Sequence, residues 1–174
     1  MIYLFVVCFV LFLVILLSIG FAGLSMAIWV PSRKKDLIRI IEVAKIKDDE
    51  VFYELGCGNG RVAFFVAKNT KAKVVGIELA WPLYAFCKIK NYFLQLPNLE
   101  FKKQDLFEAN LSNANLVYIF GMPDKIKDKL RPKLEKELKL GTRIISYAFS
   151  FAGWEPIEKN KPDEKSIAIY LYKR

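Results

Sequence analysis

The seven residues ELGCGNG, from Glu54 to Gly60, lie between a short apolar run and a longer one with helical character. Glycine adopts positive φ angles at little cost, so three glycines within five positions let a backbone turn sharply and approach a ligand. The preceding run, Val51–Leu55, predicts a β-strand, and residues 60–69 predict a helix. The chain is therefore expected to contain a strand–glycine loop–helix unit with the loop at the strand's carboxyl end.

Strand-like and helix-like segments alternate along the rest of the chain. Strands are predicted at Val51–Leu55, Lys73–Glu78, Leu99–Lys103, Leu116–Phe120, Thr142–Phe149, Trp154–Lys159 and Ser166–Tyr172. Helices are predicted at Ser32–Lys45, Gly60–Asn69, Trp81–Gln95 and Met122–Leu140, with Ser32 as an N-cap, Pro132 as a kink or break and Gly141 as a stop. This alternation predicts an α/β fold, a doubly wound Rossmann-like sheet that is mostly parallel and ends in an antiparallel hairpin.

The N-terminal segment is apolar and has no charged residue from Ile2 to Val30. About 20 apolar residues are enough to cross a bilayer. A cleaved signal peptide, the main alternative, needs a basic start and a shorter apolar stretch, and a buried core helix of this length rarely lacks a polar face. We therefore expect residues 1–30 to form a retained transmembrane helix and residues 31–174 to form one soluble domain.

The basic residues Arg33, Lys34 and Lys35 follow the apolar segment directly. By the positive-inside rule they place this flank in the cytoplasm. The expected localisation is a single-pass membrane protein whose soluble domain is cytoplasmic. The net charge of +9 suits anionic lipid, an acidic protein partner or nucleic acid, and tethering to a membrane favours lipid.

Histidine is absent from the 174 residues, and the three cysteines have neither disulfide nor zinc spacing. Nucleophilic sites of the Ser-His-Asp and Cys-His kinds are thereby excluded, and no metal site is expected.

The glycine loop does not fit the two common phosphate-binding patterns. A dinucleotide fingerprint, G-x-G-x-x-G, would need glycine where Arg61 stands, and no P-loop pattern occurs. The carboxylate of Glu54 would repel a pyrophosphate but would suit a cationic ligand. The loop therefore favours a positively charged nucleoside that carries no phosphate, with a simple strand-to-helix turn as the alternative.

The loop resembles motif I of the class I S-adenosylmethionine-dependent methyltransferases. Two further sequence features of that superfamily occur at predicted strand ends, namely Glu78 and Gln104-Asp105. In that superfamily such acids bind the ribose hydroxyls and lie near the adenine amino group. The resemblance implies that S-adenosyl-L-methionine is the cofactor, and it assigns its binding to Glu54, Gly56, Cys57, Gly58, Asn59, Gly60, Glu78, Leu79, Gln104 and Asp105.

The chain is also similar to the membrane-anchored lysine methyltransferases, whose eukaryotic members modify the adenine nucleotide translocase and the c-ring protein of the ATP synthase. The matching stretches are Val30–Ser32, Tyr53–Val62, Gly76–Leu79, Asp105–Phe107, Lys129–Leu134 and Phe149–Pro156. The chain departs from the family at Asn59, where Asp or Glu is common, and at Ala80-Trp81-Pro82, where Asn-Pro-Trp is common. The resemblance implies a protein-lysine N-methyltransferase that acts on a membrane or membrane-proximal protein by in-line SN2 methyl transfer.

Aromatic residues at the ends of the fourth and fifth strands are candidates for the acceptor channel. Phe149 and Trp154 are the first choices and Phe120 the next, with Tyr147 and Phe151 nearby and ordinary core packing as the alternative. Arg61 is interpreted as a solvated first-turn residue and Cys57 as a small side chain that fits the loop. Two other functions stay open: an RNA or small-molecule methyltransferase, and a non-catalytic membrane-bound adaptor. Nucleic acid is disfavoured because Phe120-Gly121-Met122-Pro123 replaces the Asn-Pro-Pro-Tyr type of signature.

Overall fold

The computed structural model describes residues 2–25, 30–122 and 129–174, and these contain one seven-stranded sheet with helices on its faces. The helices are α1 (Ile2–Ser25), α2 (Leu37–Ala44), α3 (Arg61–Asn69), α4 (Trp81–Leu94) and α5 (Arg131–Glu137). The strands are β1 (Val51–Leu55), β2 (Lys73–Glu78), β3 (Leu99–Lys103), β4 (Leu116–Ile119), β5 (Arg143–Tyr147), β6 (Glu158–Asn160) and β7 (Ile169–Lys173).

The sheet has the strand order β3-β2-β1-β4-β5-β7-β6. Strands β1 to β5 pair in parallel, whereas β7 is antiparallel to both β5 and β6. The order reverses between β1 and β4, so the carboxyl ends of these strands form the crevice in which doubly wound folds bind ligands. The predicted fold class is confirmed, including the antiparallel hairpin at the C-terminus.

Two apolar clusters fill the two faces of the sheet. Alternate residues of each strand point to opposite faces, so Phe52 and Tyr118 join one cluster while Tyr53 and Val117 join the other. Helices α2 and α3 and the buried Cys87 of α4 cover the first face. The second face is covered by Leu130, Leu134 and Leu138 in and around α5, together with the loop after β3. This burial on both faces explains why β4 is a continuous apolar run.

The first predicted helix begins later than its sequence indicates. A short 3-10 turn spans Lys34–Asp36, and α2 begins at Leu37. Ser32 is not an N-cap, because it is buried and its Oγ lies 2.7 Å from the hydroxyl of Tyr118 in β4. Ser32 therefore makes a tertiary hydrogen bond instead of the predicted capping bond.

The last predicted helix, Met122–Leu140, is only partly described, because residues 123–128 lie outside the described part of the chain. Within the described part, α5 begins at Arg131, with Pro132 in its first turn, where proline is tolerated. Gly141 is not the stop that the sequence predicts, since α5 ends at Glu137. Gly141 lies instead in the turn before β5, with φ +92° and its N–H bonded to the carbonyl of Arg174 at 2.7 Å.

The N-terminal apolar segment forms the helix α1, which contacts α4. Among the residues described, we find no helix whose length and apolar character would let it cross a membrane. The anchor over residues 1–30 stays a prediction, and residues 1 and 26–29 of that segment lie outside the described residues.

Candidate active site

The glycine loop lies at the carboxyl end of β1, as predicted, and β1 is paired with β2 on one side and β4 on the other. Its backbone is bound to the neighbouring strand, because the N–H of Cys57 donates to the carbonyl of Ile77 at 2.8 Å. The turn closes with a 2.8 Å bond from the N–H of Gly60 to the carbonyl of Cys57. The loop is therefore fixed to β2 before any ligand binds.

All three loop glycines have positive φ: +69° at Gly56, +55° at Gly58 and +69° at Gly60. Gly60 is also crowded, because a Cβ there would lie 2.9 Å from the ring of Phe101 and 3.0 Å from the Sγ of Cys87. Gly56, by contrast, is exposed, and a Cβ there would meet only Leu106, at 3.9 Å. Gly60 therefore serves the packing of α3, and Gly56 leaves backbone open toward the crevice.

Glu78, the last residue of β2, is buried and bonds the glycine loop directly. Its Oε2 accepts a hydrogen bond from the N–H of Gly58 at 2.7 Å, and its Oε1 accepts one from the N–H of Ala80 at 2.7 Å. Burial raises the pKa of this carboxyl, and the backbone bonds partly oppose that rise. Carboxylate oxygens together offer about four acceptor positions, so each oxygen keeps room for a ligand hydroxyl.

Glu54 occupies the penultimate position of β1 and is buried beside the loop. Its Oε2 accepts a hydrogen bond from the N–H of Ala63, in the first turn of α3, at 2.7 Å. Burial raises the pKa of Glu54 to about 8, the bond from Ala63 lowers it, and the charge of Glu78 raises it further. A cation bound nearby would favour the ionised form of this carboxyl.

The segment after β3 closes the next side of the crevice. The N–H of Gln104 donates to the carbonyl of Glu78 at 3.1 Å, which extends the β2–β3 pairing and keeps Gln104 beside the acid. Asp105 bonds its own loop, its Oδ1 accepting from the N–H of Phe107 at 2.9 Å. Leu106 is buried against Gly56. The structure therefore brings the three predicted acids to one edge of the sheet.

The remaining predicted cofactor residues have distinct surroundings. Cys57 is buried, as expected of a side chain that fits the loop, and Leu79 and Asn59 are half-buried. Asn59 does not cap α3, because Gly60 occupies the N-cap position and no side chain bonds there. The thiol of Cys87 donates to the carbonyl of Gly58 at 3.3 Å. Both backbone groups of Gly58 are therefore held by side chains of β2 and α4.

The predicted acceptor-channel residues divide between two aromatic clusters. Phe120 and Phe149 follow β4 and β5, with their ring centroids 6.4 Å apart, and Phe120 contacts Tyr147 edge-on at 4.9 Å. Trp154 instead packs on Phe151 at 5.2 Å, and its Nε1–H donates to Glu135 at 3.0 Å. The structure does not bring Trp154 together with Phe120 and Phe149, since the two clusters lie on opposite faces of the sheet.

Several contacts beside the crevice could not be predicted from the sequence. Arg61 is not simply solvated: it donates to the carbonyl of Ser32 at 2.6 Å and ties the segment before α2 to the glycine loop's helix. The hydroxyl of Tyr147 donates to Asp36 at 2.7 Å, and burial first, then this bond, raises the pKa of Tyr147 to about 12. No local pattern reveals these pairs, because the partners are 29 and 111 positions apart.

The residues present fit S-adenosylmethionine. Gly56 offers open backbone at positive φ, and the ionisable Glu54 suits a cationic ligand. Glu78, with acceptor capacity left at the β2 end, suits a pair of ribose hydroxyls. When bound, this cofactor supplies a methyl group already activated on a sulfonium.

Comparison with known proteins agrees with this geometry. Residues 54–158, more than half of the chain, match the family described as the ANTKMT methyltransferase domain. The chain belongs to this family. It is an S-adenosylmethionine-dependent methyltransferase, which confirms the predicted enzyme class and cofactor and leaves the adaptor alternative without support.

Two relatives and one solved structure illustrate the family likeness. The chain is 34% identical over 156 residues to a protein-lysine N-methyltransferase of Saccharolobus islandicus, covering 83% of this chain and 91% of that protein. It is 25% identical over 105 residues to the adenine nucleotide translocase lysine N-methyltransferase of Mus musculus, covering 60% of this chain and 45% of that protein. An RNA methyltransferase from Salinibacter ruber, solved with S-adenosyl-L-homocysteine, superposes with a TM-score of 0.77 at 31% identity, covering 83% of this chain and 93% of that one.

Proposed function

We propose that this methyltransferase modifies lysine side chains of a protein that is embedded in, or close to, a membrane. The observation that carries the proposal is the 34% identity to a protein-lysine N-methyltransferase over 83% of this chain and 91% of that protein. The aromatic pair Phe120 and Phe149 supports it, because these residues follow β4 and β5 at the end of the sheet where the glycine loop follows β1.

Methyl transfer to lysine needs a neutral amine. An apolar surround disfavours the ammonium form and lowers its pKa, while aromatic faces attract the cation before it loses its proton. Phe120 is half-buried and Phe149 is 39% exposed, so together they offer a partly desolvated entrance. The amine nitrogen would form its bond to the methyl carbon as the carbon–sulfur bond breaks in line, and the extra proton would leave to solvent. Positioning of the two reactants supplies most of the catalysis in such a reaction.

The proposed setting is the membrane. Residues 1–30 would serve as a single-pass anchor, and the basic residues Arg33, Lys34 and Lys35 would place the catalytic domain, residues 31–174, on the cytoplasmic side. Tethering raises the effective concentration of acceptors in the same membrane. A membrane-associated acceptor and a lipid contact through the N-terminal segment are therefore the expected partners.

A second candidate function is RNA methylation. It is favoured by the likeness to the Salinibacter ruber RNA methyltransferase and by the net charge of +9. A small-molecule acceptor has no comparable observation in its favour.

One experiment separates these functions. The full chain would be incubated with methyl-labelled donor and with membranes, soluble protein and RNA from its host, with Gly58→Val as the inactive control. Label in membrane protein, recovered as methyl-lysine after hydrolysis, is the expected result. Label in RNA or lipid alone would overturn the lysine proposal.

A further inference from the structure

The outward side of α4 is apolar, which is unusual for a helix on the surface of a sheet. Five large side chains are exposed there: Trp81 by 58%, Phe86 by 49%, Ile89 by 60%, Tyr92 by 73% and Phe93 by 78%. These five residues are called the α4 face below. The opposite side of the helix meets the core through the buried Cys87. Both sides of α4 are therefore apolar, although only one of them is buried in the core.

The α4 face is continuous around the helix. At 100° per residue, the five side chains fall within an arc of about 140°. The only other residue types within this arc are Ala and Pro. The width is that of a binding surface rather than of scattered exposed side chains. An interfacial helix has this pattern, with a wide apolar face rich in aromatic side chains.

The charges around the α4 face are basic. Within α4 the charged residues are Lys88 and Lys90, one at each border of the apolar arc, and the helix contains no carboxylate. Lys90 lies over the rings of Phe64 at 4.2 Å and Phe86 at 5.7 Å. Its pKa is lowered, mainly by partial burial, with the positive charges of Lys68, Arg61 and Lys34 adding to the effect. The charged side chains that border the α4 face within this helix are therefore both positive.

Helix α1 contacts α4, and its described side chains are themselves exposed and apolar. Two helices with exposed apolar side chains therefore lie against each other. Because α4 begins three residues after Glu78, whatever covers the α4 face also lies close to the donor crevice.

We propose that the α4 face docks into the headgroup region of an anionic lipid bilayer, with Lys88 and Lys90 on the lipid phosphates. Aromatic side chains suit this interface, because their rings are apolar while the indole N–H and phenol hydroxyl stay hydrated. A second copy of the chain fits less well, since a twofold contact would bring Lys88 and Lys90 of both copies into one interface, and α4 has no carboxylate to pair with them. The proposal does not depend on which molecule accepts the methyl group.

The test measures where Trp81 lies when the full chain is in vesicles. The chain has three tryptophans, so Trp29→Phe with Trp154→Phe leaves Trp81 as the sole fluorophore. The matched control adds Trp81→Phe and Leu140→Trp, because Leu140 is 86% exposed and lies outside α4. Both proteins would be reconstituted into phosphatidylcholine–phosphatidylglycerol vesicles with brominated acyl chains.

We expect bromine to quench most of the Trp81 emission and little of the emission from position 140. Adding Ile89→Glu and Phe93→Glu should reduce the Trp81 quenching severalfold, whereas adding Leu140→Glu should not change it. Vesicles of phosphatidylcholine alone should also give weaker quenching, because the lysines then lack an anionic partner.

Two results would overturn the proposal. The first is a vesicle-bound chain whose Trp81 is no more quenched than the control position, which would leave the N-terminal anchor as the sole lipid contact. The second is concentration-dependent dimerisation that Phe93→Glu abolishes without any change in quenching, which would assign the α4 face to a second copy. Donor binding by the Ile89→Glu, Phe93→Glu variant should be unchanged, and that measurement shows that the variant is folded.

Discussion

The backbone N–H of Gly58 donates to Oε2 of Glu78 over 2.7 Å, and this bond joins the carboxyl ends of β1 and β2. The Cys87 thiol holds the carbonyl of the same glycine at 3.3 Å. The glycine loop is thus held at Gly58 by a buried carboxylate on one side and a thiol on the other. The charge of Glu78 shapes the loop and also faces the crevice where ribose hydroxyls would bind.

Gly58→Val should abolish donor binding. Gly58 has φ +55°, a conformation that a β-branched residue adopts only with strain, on the order of 1–3 kcal/mol. The loop would shift to relieve that strain and break the bond to Glu78. Calorimetric titration with S-adenosylmethionine checks this, with thermal unfolding to confirm the fold. Unchanged affinity would mean that the donor lies elsewhere.

The other two loop glycines provide a matched pair for stability, because both have φ +69°. Gly60→Ala should destabilise the fold more than Gly56→Ala, by about 1–3 kcal/mol, because overpacking adds to backbone strain. The added Cβ would lie within 3.0 Å of Phe101, Cys87 and Phe64 at position 60 but would reach only Leu106, at 3.9 Å, at position 56. Urea unfolding of the two variants measures the difference. Equal losses would contradict the described packing of α3.

Glu54 should make the donor-free protein less stable as the pH rises. Its folded pKa of about 8 lies above the ordinary 4.5, so folding favours the protonated form. The stability from this group is complete below pH 4.5 and is lost as the pH rises through 8. Glu54→Gln should therefore raise the free energy of unfolding at pH 8, on the order of 2–4 kcal/mol, and leave it nearly unchanged at pH 4.5. Denaturant unfolding at the two pH values checks this, with Glu108→Gln as an exposed control.

Donor binding at pH 7 should release a proton from Glu54. The carboxyl is mostly protonated at this pH in the free protein, and the positive charge of the donor favours ionisation. The heat of binding should then depend on the ionisation enthalpy of the buffer, and the release should approach one proton per site. Glu54→Gln should remove that dependence and weaken binding. A wild-type heat that is equal in phosphate and Tris would contradict this role of Glu54.

Phe149→Ala and Trp154→Phe should affect different properties. Phe149 lies beside Phe120 after β5, where we propose that the acceptor enters, so its loss should raise the KM for the acceptor and leave donor affinity unchanged. Trp154→Phe removes the indole bond to Glu135 and should cost about 1 kcal/mol of stability. Steady-state kinetics with the acceptor protein that takes up the label gives the KM of each variant, and thermal unfolding gives its stability. A larger KM change in Trp154→Phe would return Trp154 to the acceptor channel.

The sheet could be predicted from the sequence because its signals are local. The bounds of β1, β2 and β3 agree with the runs read from the sequence, and Glu78 and Asp105 lie at strand ends as expected. A strand buried on both faces is necessarily apolar, and a glycine turn must follow it to reach the next helix.

The parts that could not be predicted depend on partners far apart in the chain. Ser32 matches a helix cap in sequence, yet it bonds Tyr118, 86 positions away. Arg61 looks like a solvated surface residue, yet it holds the segment before α2. Trp154 lies in Phe149–Pro156, a stretch that resembles the family and made it a candidate for the acceptor channel. The face of the sheet on which it packs, however, is set by β7 and α5. Such pairings follow from the topology of the sheet, and local sequence periodicity does not indicate that topology.

The most direct measurement is a calorimetric titration of the full chain and its Glu78→Ala variant with S-adenosylmethionine. We expect the wild type to bind one donor per chain. Glu78→Ala should bind about 30- to 1,000-fold more weakly, because the variant loses charge-assisted bonds to the ribose and to Gly58. Glu108→Ala, at an exposed acid, should bind like the wild type. No heat of binding in the wild type, or equal affinity in a folded Glu78→Ala variant, would contradict the account.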